Sequence, residues 1–129
     1  LVTRDQDSAD CKDVKKHLAE VIELNCNCPF KIRIVCRELE SWYLGDMLAI
    51  EKAYPRFTAS QYANKSEFRN VDKIQSPNRT LLRLIPEYSN REYLPKLETA
   101  ENISPFLNFE FNKSESFKNT IAAILALIN

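Results

Sequence analysis

The sequence has little histidine, almost no glycine and no excess of either charge. Its 129 residues hold one His, one Gly, one Trp and one Met, and 18 acidic residues balance 18 basic ones. The missing net charge excludes a general basic footprint for DNA or RNA and leaves room only for a local patch. No apolar run is long enough to cross a membrane. The opening Leu1-Val2-Thr3 runs straight into charges rather than into a secretory signal. With one His, and with Cys26-Asn27-Cys28 spaced more tightly than the usual zinc pairs, no zinc site is expected. These absences predict a cytoplasmic protein whose Cys11, Cys26, Cys28 and Cys36 are reduced, structural thiols, Cys11 on the apolar face of a helix and Cys36 closing a strand. In that setting the Asn-x-Ser/Thr tripeptides at Asn64, Asn78, Asn102 and Asn112 carry no weight as glycan sites. His17, beside Lys15 and Lys16, reads as solvated. There is no repeat and no low-complexity tract. What is present in quantity is apolar side chain, 44% of the chain, enough for the core of a single domain spanning 1–129.

The first 46 residues read as a βαβ unit. Leu1-Val2-Thr3 has the residue types of a buried strand; the lack of an initiator Met ahead of it suggests that a true N-terminus lies upstream. Asp10 is the expected N-cap of a helix, with Asp13 completing a near capping box. Cys11, Val14, Leu18, Val21 and Ile22 form its apolar stripe. Asn25 to Pro29 breaks the helix, and Lys31 to Cys36 alternates as a half-buried strand does. Strand, helix and strand at this spacing predict two parallel strands joined by a right-handed crossover. In such sheets ligands bind beyond the carboxyl ends of the strands. Asp5 and Asp7 follow the first strand; Arg37, Glu38 and Glu40 follow the second. The two groups should meet at one edge of the sheet.

The run Cys36-Arg37-Glu38-Leu39-Glu40-Ser41-Trp42-Tyr43-Leu44-Gly45-Asp46 holds the only Trp and the only Gly. Leu39, Trp42 and Tyr43 at i, i+3 and i+4 predict a helix with one buried face. Gly45 would end it and Asp46 would cap the next helix, Met47 to Tyr54; the other reading is that these acids face a cleft. The remainder, 47–129, reads as helices and loops: a short helix over Thr58 to Asn64, a polar and mobile loop over Lys65 to Gln75, and a helix over Pro77 to Ile85 opened by Ser76-Pro77, with Leu81, Leu82 and Ile85 inward. A helix over Leu97 to Phe106 follows, kinked or restarted at Pro105. The last helix is capped by Ser114 or Ser116, with Phe117, Ile121, Ile124, Leu125 and Ile128 as its core stripe.

Asp5 and Asp7 stand at i and i+2, so on a continued strand both point to one face, about 6 to 7 Å apart at Cα. Two such charges repel by about 2 to 2.5 kcal/mol at an effective dielectric constant of about 20. A divalent cation removes that repulsion, and magnesium favours one or two carboxylates with waters and phosphate oxygens. The alternative is that both acids are solvated, helped by Arg4 and by the positive end of the following helix.

The stretch Leu1 to Ser8 with its Asp5-Gln6-Asp7, then Cys11 and Lys15, then the Arg37-Glu38-Leu39-Glu40-Ser41-Trp42-Tyr43-Leu44-Gly45-Asp46 run, resembles a bacterial family of unknown function in the TOPRIM-like group. The resemblance continues through Ser76-Pro77, Tyr93 to Leu107 and Ser114 to Phe117. It implies an α/β fold with a small parallel sheet, followed by a mostly helical C-terminal half and lacking the family's first strand and its glutamate. It implies Mg2+ or Mn2+ held by Asp5 and Asp7, with Glu40 adding a ligand or positioning water, Glu38 as the other acid able to complete the shell, and Arg37 steadying a phosphate or pairing with the acids. The implied activity is magnesium-dependent nuclease or phosphodiester-transfer chemistry, in a protein associated with phage defence and a partner ATPase. Candidate partners are nucleic acid, that ATPase and a second copy in a homodimer, with no membrane. The competing expectation is a non-catalytic interaction module that docks on the ATPase.

Overall fold

Two strands, β1 (Val2–Asp5) and β2 (Ile32–Val35), flank the helix α1 (Cys11–Asn25) in the computed structural model, which describes residues 1–129. They pair in parallel, Val2 opposite Ile32 and Asp5 opposite Val35. They form the whole sheet. The α1 N-terminus is closed by Asp10, whose carboxylate accepts from the N–H groups of Lys12 and Asp13. The βαβ expectation therefore holds in order, direction and cap.

Beyond it the chain is helical: α2 (Glu40–Leu44), α3 (Met47–Ala53), α4 (Pro77–Leu84), α5 (Lys96–Ile103) and α6 (Glu115–Ile128). No helix is long and apolar enough to cross a membrane. The main core lies in this helical part, around Leu44, Ile50, Phe57, Phe68, Val71, Leu81, Ile85 and Ile103. Each such side chain contributes about 1.5–3 kcal/mol when fully buried. Tyr54 and Tyr88 share a hydroxyl–hydroxyl contact inside it, extended by Thr99 and by the Asn102 amide.

Several expectations are corrected. Helix α1 contains no buried residue: a sheet of two strands gives its apolar stripe too little surface to cover. Cys11 is consequently exposed rather than part of a core. The reduced-thiol expectation fails at Cys26 and Cys28, which form a disulfide across the turn after α1, their Cα atoms 5.5 Å apart; that separation is within reach of a bridge. The same shortage of sheet leaves Ile124, Leu125 and Ile128 of α6 at 39%, 46% and 72% exposure, so only its Phe117 end works as a core stripe. The Lys65 to Gln75 segment is no mobile loop. Two short 3-10 turns, Ser66–Phe68 and Val71–Lys73, drive Phe68 and Val71 fully into the core. Two anchors at irregular spacing carry no helical or strand period.

The predicted helix from Cys36 starts only at Glu40, because Arg37 takes a left-handed backbone, and Leu39 is left partly exposed. Around Gly45 the chain is clasped by the segment before α6. Asn112, fully buried, donates to the Trp42 carbonyl at 2.8 Å and accepts from the Ser114 N–H at 2.8 Å. Lys113 N–H donates to the Gly45 carbonyl at 2.9 Å. The Trp42 indole N–H donates to Ser116 Oγ at 2.8 Å, and its ring packs 5.2 Å from that of Phe117. Asp46 caps α3 through Ala49 N–H and takes the Asn108 N–H on its other oxygen, so the cap reading of this buried carboxylate holds. Ser114 caps α6 through the Phe117 N–H.

A Cβ at Gly45 would collide with Asn112 Oδ1, while its φ of −69° suits any residue. Room, not backbone freedom, requires glycine here. Gly45→Ala gains about 1 kcal/mol of helix propensity but forces apart a side chain held by two hydrogen bonds. We expect a net loss of about 1–3 kcal/mol, the usual cost of overpacking, in urea denaturation. A stabilised variant would contradict the clasp.

Candidate acidic site at the carboxyl ends of the strands

The segments leaving β1 and β2 are tied together. Gln6 N–H donates to the Val35 carbonyl and Asp7 N–H to the Arg37 carbonyl, both at 2.9 Å. The Arg37 guanidinium reaches the Asp7 carbonyl at 3.4 Å, and Arg37 N–H faces Gln6 Oε1 at 3.4 Å. Asp7 and Arg37 are the only residues with positive φ, 53° and 61°. A left-handed residue other than glycine costs about 1–2 kcal/mol, less for Asp, whose short side chain bonds locally. The strained pair sits where β1 and β2 end, which is where an α/β sheet places its ligand.

Glu40 opens α2 and is buried to 4% exposure. Its charge is met by Lys96 at 3.3 Å. Burial pulls the Lys96 ammonium down, but the charge and hydrogen bond of Glu40, with Glu38 and Asp5 beyond, hold it above its ordinary value. The Tyr43 hydroxyl is pushed up to about 12 by burial, then by the Glu40 charge and Tyr54. The carboxyl of Asp5 is raised by burial, then by the charges of Glu40 and Asp7; Lys96 pulls it back and Glu38 adds to the rise. Asp5 therefore lies in the combined field of the three other acids that the pattern brings to this edge.

The acids are not equivalent. Glu38 accepts from the Asn78 N–H at 3.1 Å, so it caps α4 across the fold, while Ser76, the cap expected from sequence, makes no such bond. Arg37 gives one guanidinium nitrogen to the Asp7 backbone rather than to a carboxylate. Asp7 is exposed and Asp5 half-buried. No three His, Cys, Asp or Glu side chains are grouped closely enough to cage a metal ion; Asp5, Asp7 and Glu40 share a field, not a closed shell. Sequence reasoning missed Lys96. One signal was available: a lysine at the first position of a helix opposes the helix dipole and calls for a partner such as Glu40.

The chain matches no family model, no curated protein and no solved structure.

A carboxyl whose affinity for protons is higher folded than unfolded favours folding below its unfolded pKa, and that contribution is lost as the pH rises through the folded value. Asp5→Asn should therefore stabilise the protein at neutral pH, and the gain should vanish on acidification below the ordinary Asp value of 3.8. Thermal unfolding of both proteins across pH checks this. A variant less stable at neutral pH, with the loss shrinking on acidification, would show that the Asp5 carboxylate is held by favourable contacts instead.

Proposed function

We propose that the chain is a TOPRIM-like domain whose acidic edge binds Mg2+ or Mn2+ and serves nuclease or phosphodiester-transfer chemistry. Asp5 carries the reading: it is half-buried and surrounded by negative charge that only Lys96 offsets. A cation relieves such crowding. Asp5 and Asp7 would hold the ion, with Glu40 as the third carboxylate. Magnesium asks for one or two carboxylates and keeps waters, so the reading does not need a closed protein cage. A bound ion supplies charge stabilisation at a phosphoryl oxygen. Arg37 keeps guanidinium donors free for a phosphate beside that edge. Lys96 pairs with Glu40 at 3.3 Å.

Isothermal titration of Mn2+ and Mg2+ is the direct test. We expect binding in the unmutated chain and its loss in Asp5→Ala/Asp7→Ala. No measurable heat with the unmutated chain defeats the reading.

A second reading, a non-catalytic module docking on a partner ATPase, is favoured by the apolar side chains left open on α1 and α6, with Leu24 at 85% and Ile128 at 72% exposure. Such exposure marks contact surfaces when it is contiguous.

A further inference from the structure

A groove of about 350 Å³ runs between α1 and α6, and residues of β2 form its floor. No residue of β1 lines it, so it follows the edge of β2 that faces away from β1. The carbonyls of Lys31 and Val35 accept from Val2 and Gln6 N–H groups, which turns the odd-numbered peptide groups of β2 toward β1. In a parallel ladder the alternate groups face the other way. The N–H and C=O of Ile32 and Ile34 are thus presented to the groove, and no hydrogen bond outside the β1–β2 ladder reaches them.

Cations outnumber acids in the lining by three to two. Lys12 and Lys15 of α1 and Arg33 of β2 line the groove, and none of them has an ion-pair partner. Arg33 Nε is buried without a hydrogen-bond acceptor, a group that costs stability until one arrives. Two acids also line it: Asp72, which accepts from the Ser114 hydroxyl and the Ser116 N–H and keeps its charge, and Glu115, which lies 3.8 Å from Lys118. An unpaired strand edge invites another strand. The cations that repel a second copy of this same edge attract an acidic one.

We propose that the β2 edge is a docking groove for an extended, acidic segment of a partner protein, which adds as a third strand and sets its carboxylates against Lys12, Lys15 and Arg33. Main-chain hydrogen bonds to Ile32 and Ile34 would give affinity, and the alternating acids would give selectivity. A nucleic-acid phosphate satisfies the cations but offers no ladder to the free peptide groups. The groove is separate from the acidic edge and its occupancy does not depend on a metal ion.

The test uses a fluorescent peptide alternating Val and Glu, added to the full chain in the absence of divalent ions. We expect binding, slowed hydrogen exchange at the Ile32 and Ile34 amides, and no binding of a Val/Lys peptide or of the Val/Glu peptide interrupted by proline. Lys12→Glu/Lys15→Glu, on the exposed side of α1 and checked for fold by circular dichroism, should weaken binding about tenfold or more, as two lost charge contacts would. Absence of binding, equal binding of the proline-interrupted peptide, or equal binding of single-stranded DNA would each overturn the proposal.

Discussion

The clasp between Gly45 and Asn112 is the constraint on which the arrangement of the helical part depends. It joins the run after β2 to the segment before α6, far apart in sequence, through a buried amide that uses both its donor and its acceptor. Trp42 and Asp46 extend the contact on either side, one to Ser116 and one to Asn108. A buried amide without partners would cost about 1–3 kcal/mol, so the need to keep both bonds admits few alternative packings. The clasp holds α2 in place, and α2 in turn fixes Glu40 at the mouth of the sheet.

From that anchor the electrostatics follow. Glu40 is nearly removed from water, and its charge is felt by Asp5, Tyr43 and Lys96. Burial makes a field of this kind stronger than the same charges would produce in solvent. Lys96, paired with Glu40, offsets part of this field but leaves Asp5 with an elevated proton affinity. The left-handed turns at Asp7 and Arg37 bind the two strand ends to each other, so the acids are presented by a braced edge rather than by independent loops. The run of acids after β2 then divides its labour: Glu38 caps α4, Asp46 caps α3, and Glu40 belongs to the cluster.

The βαβ unit was legible because alternation and a helical stripe are local signals, and caps such as Asp10, Asp46 and Ser114 were legible for the same reason. Parallel topology alone brings the segments that carry Asp5, Asp7, Glu38 and Glu40 to one edge of the sheet, where they are tied by the Gln6 and Asp7 N–H groups. What depended on distant partners was not readable. Lys96 reaches Glu40 from α5, Glu38 replaces Ser76 as the cap of α4, and Asn112 explains Gly45, none of which leaves a periodic mark. The anchors Phe68 and Val71 hide in a polar stretch. Periodicity marks the apolar stripes of α1 and α6 but tells which face is apolar and not how much surface exists to cover it. A sheet of two strands covers little.

The carboxylates at the ends of β1 and β2 act on Asp5, and we propose that they share a cation. Carbon-13 NMR titration of the Asp and Glu side-chain carboxyls, with and without Mg2+, measures this directly. The account predicts that Asp5 titrates above the ordinary Asp range and that Mg2+ lowers its midpoint. An ordinary midpoint for Asp5, unmoved by the ion, would contradict it.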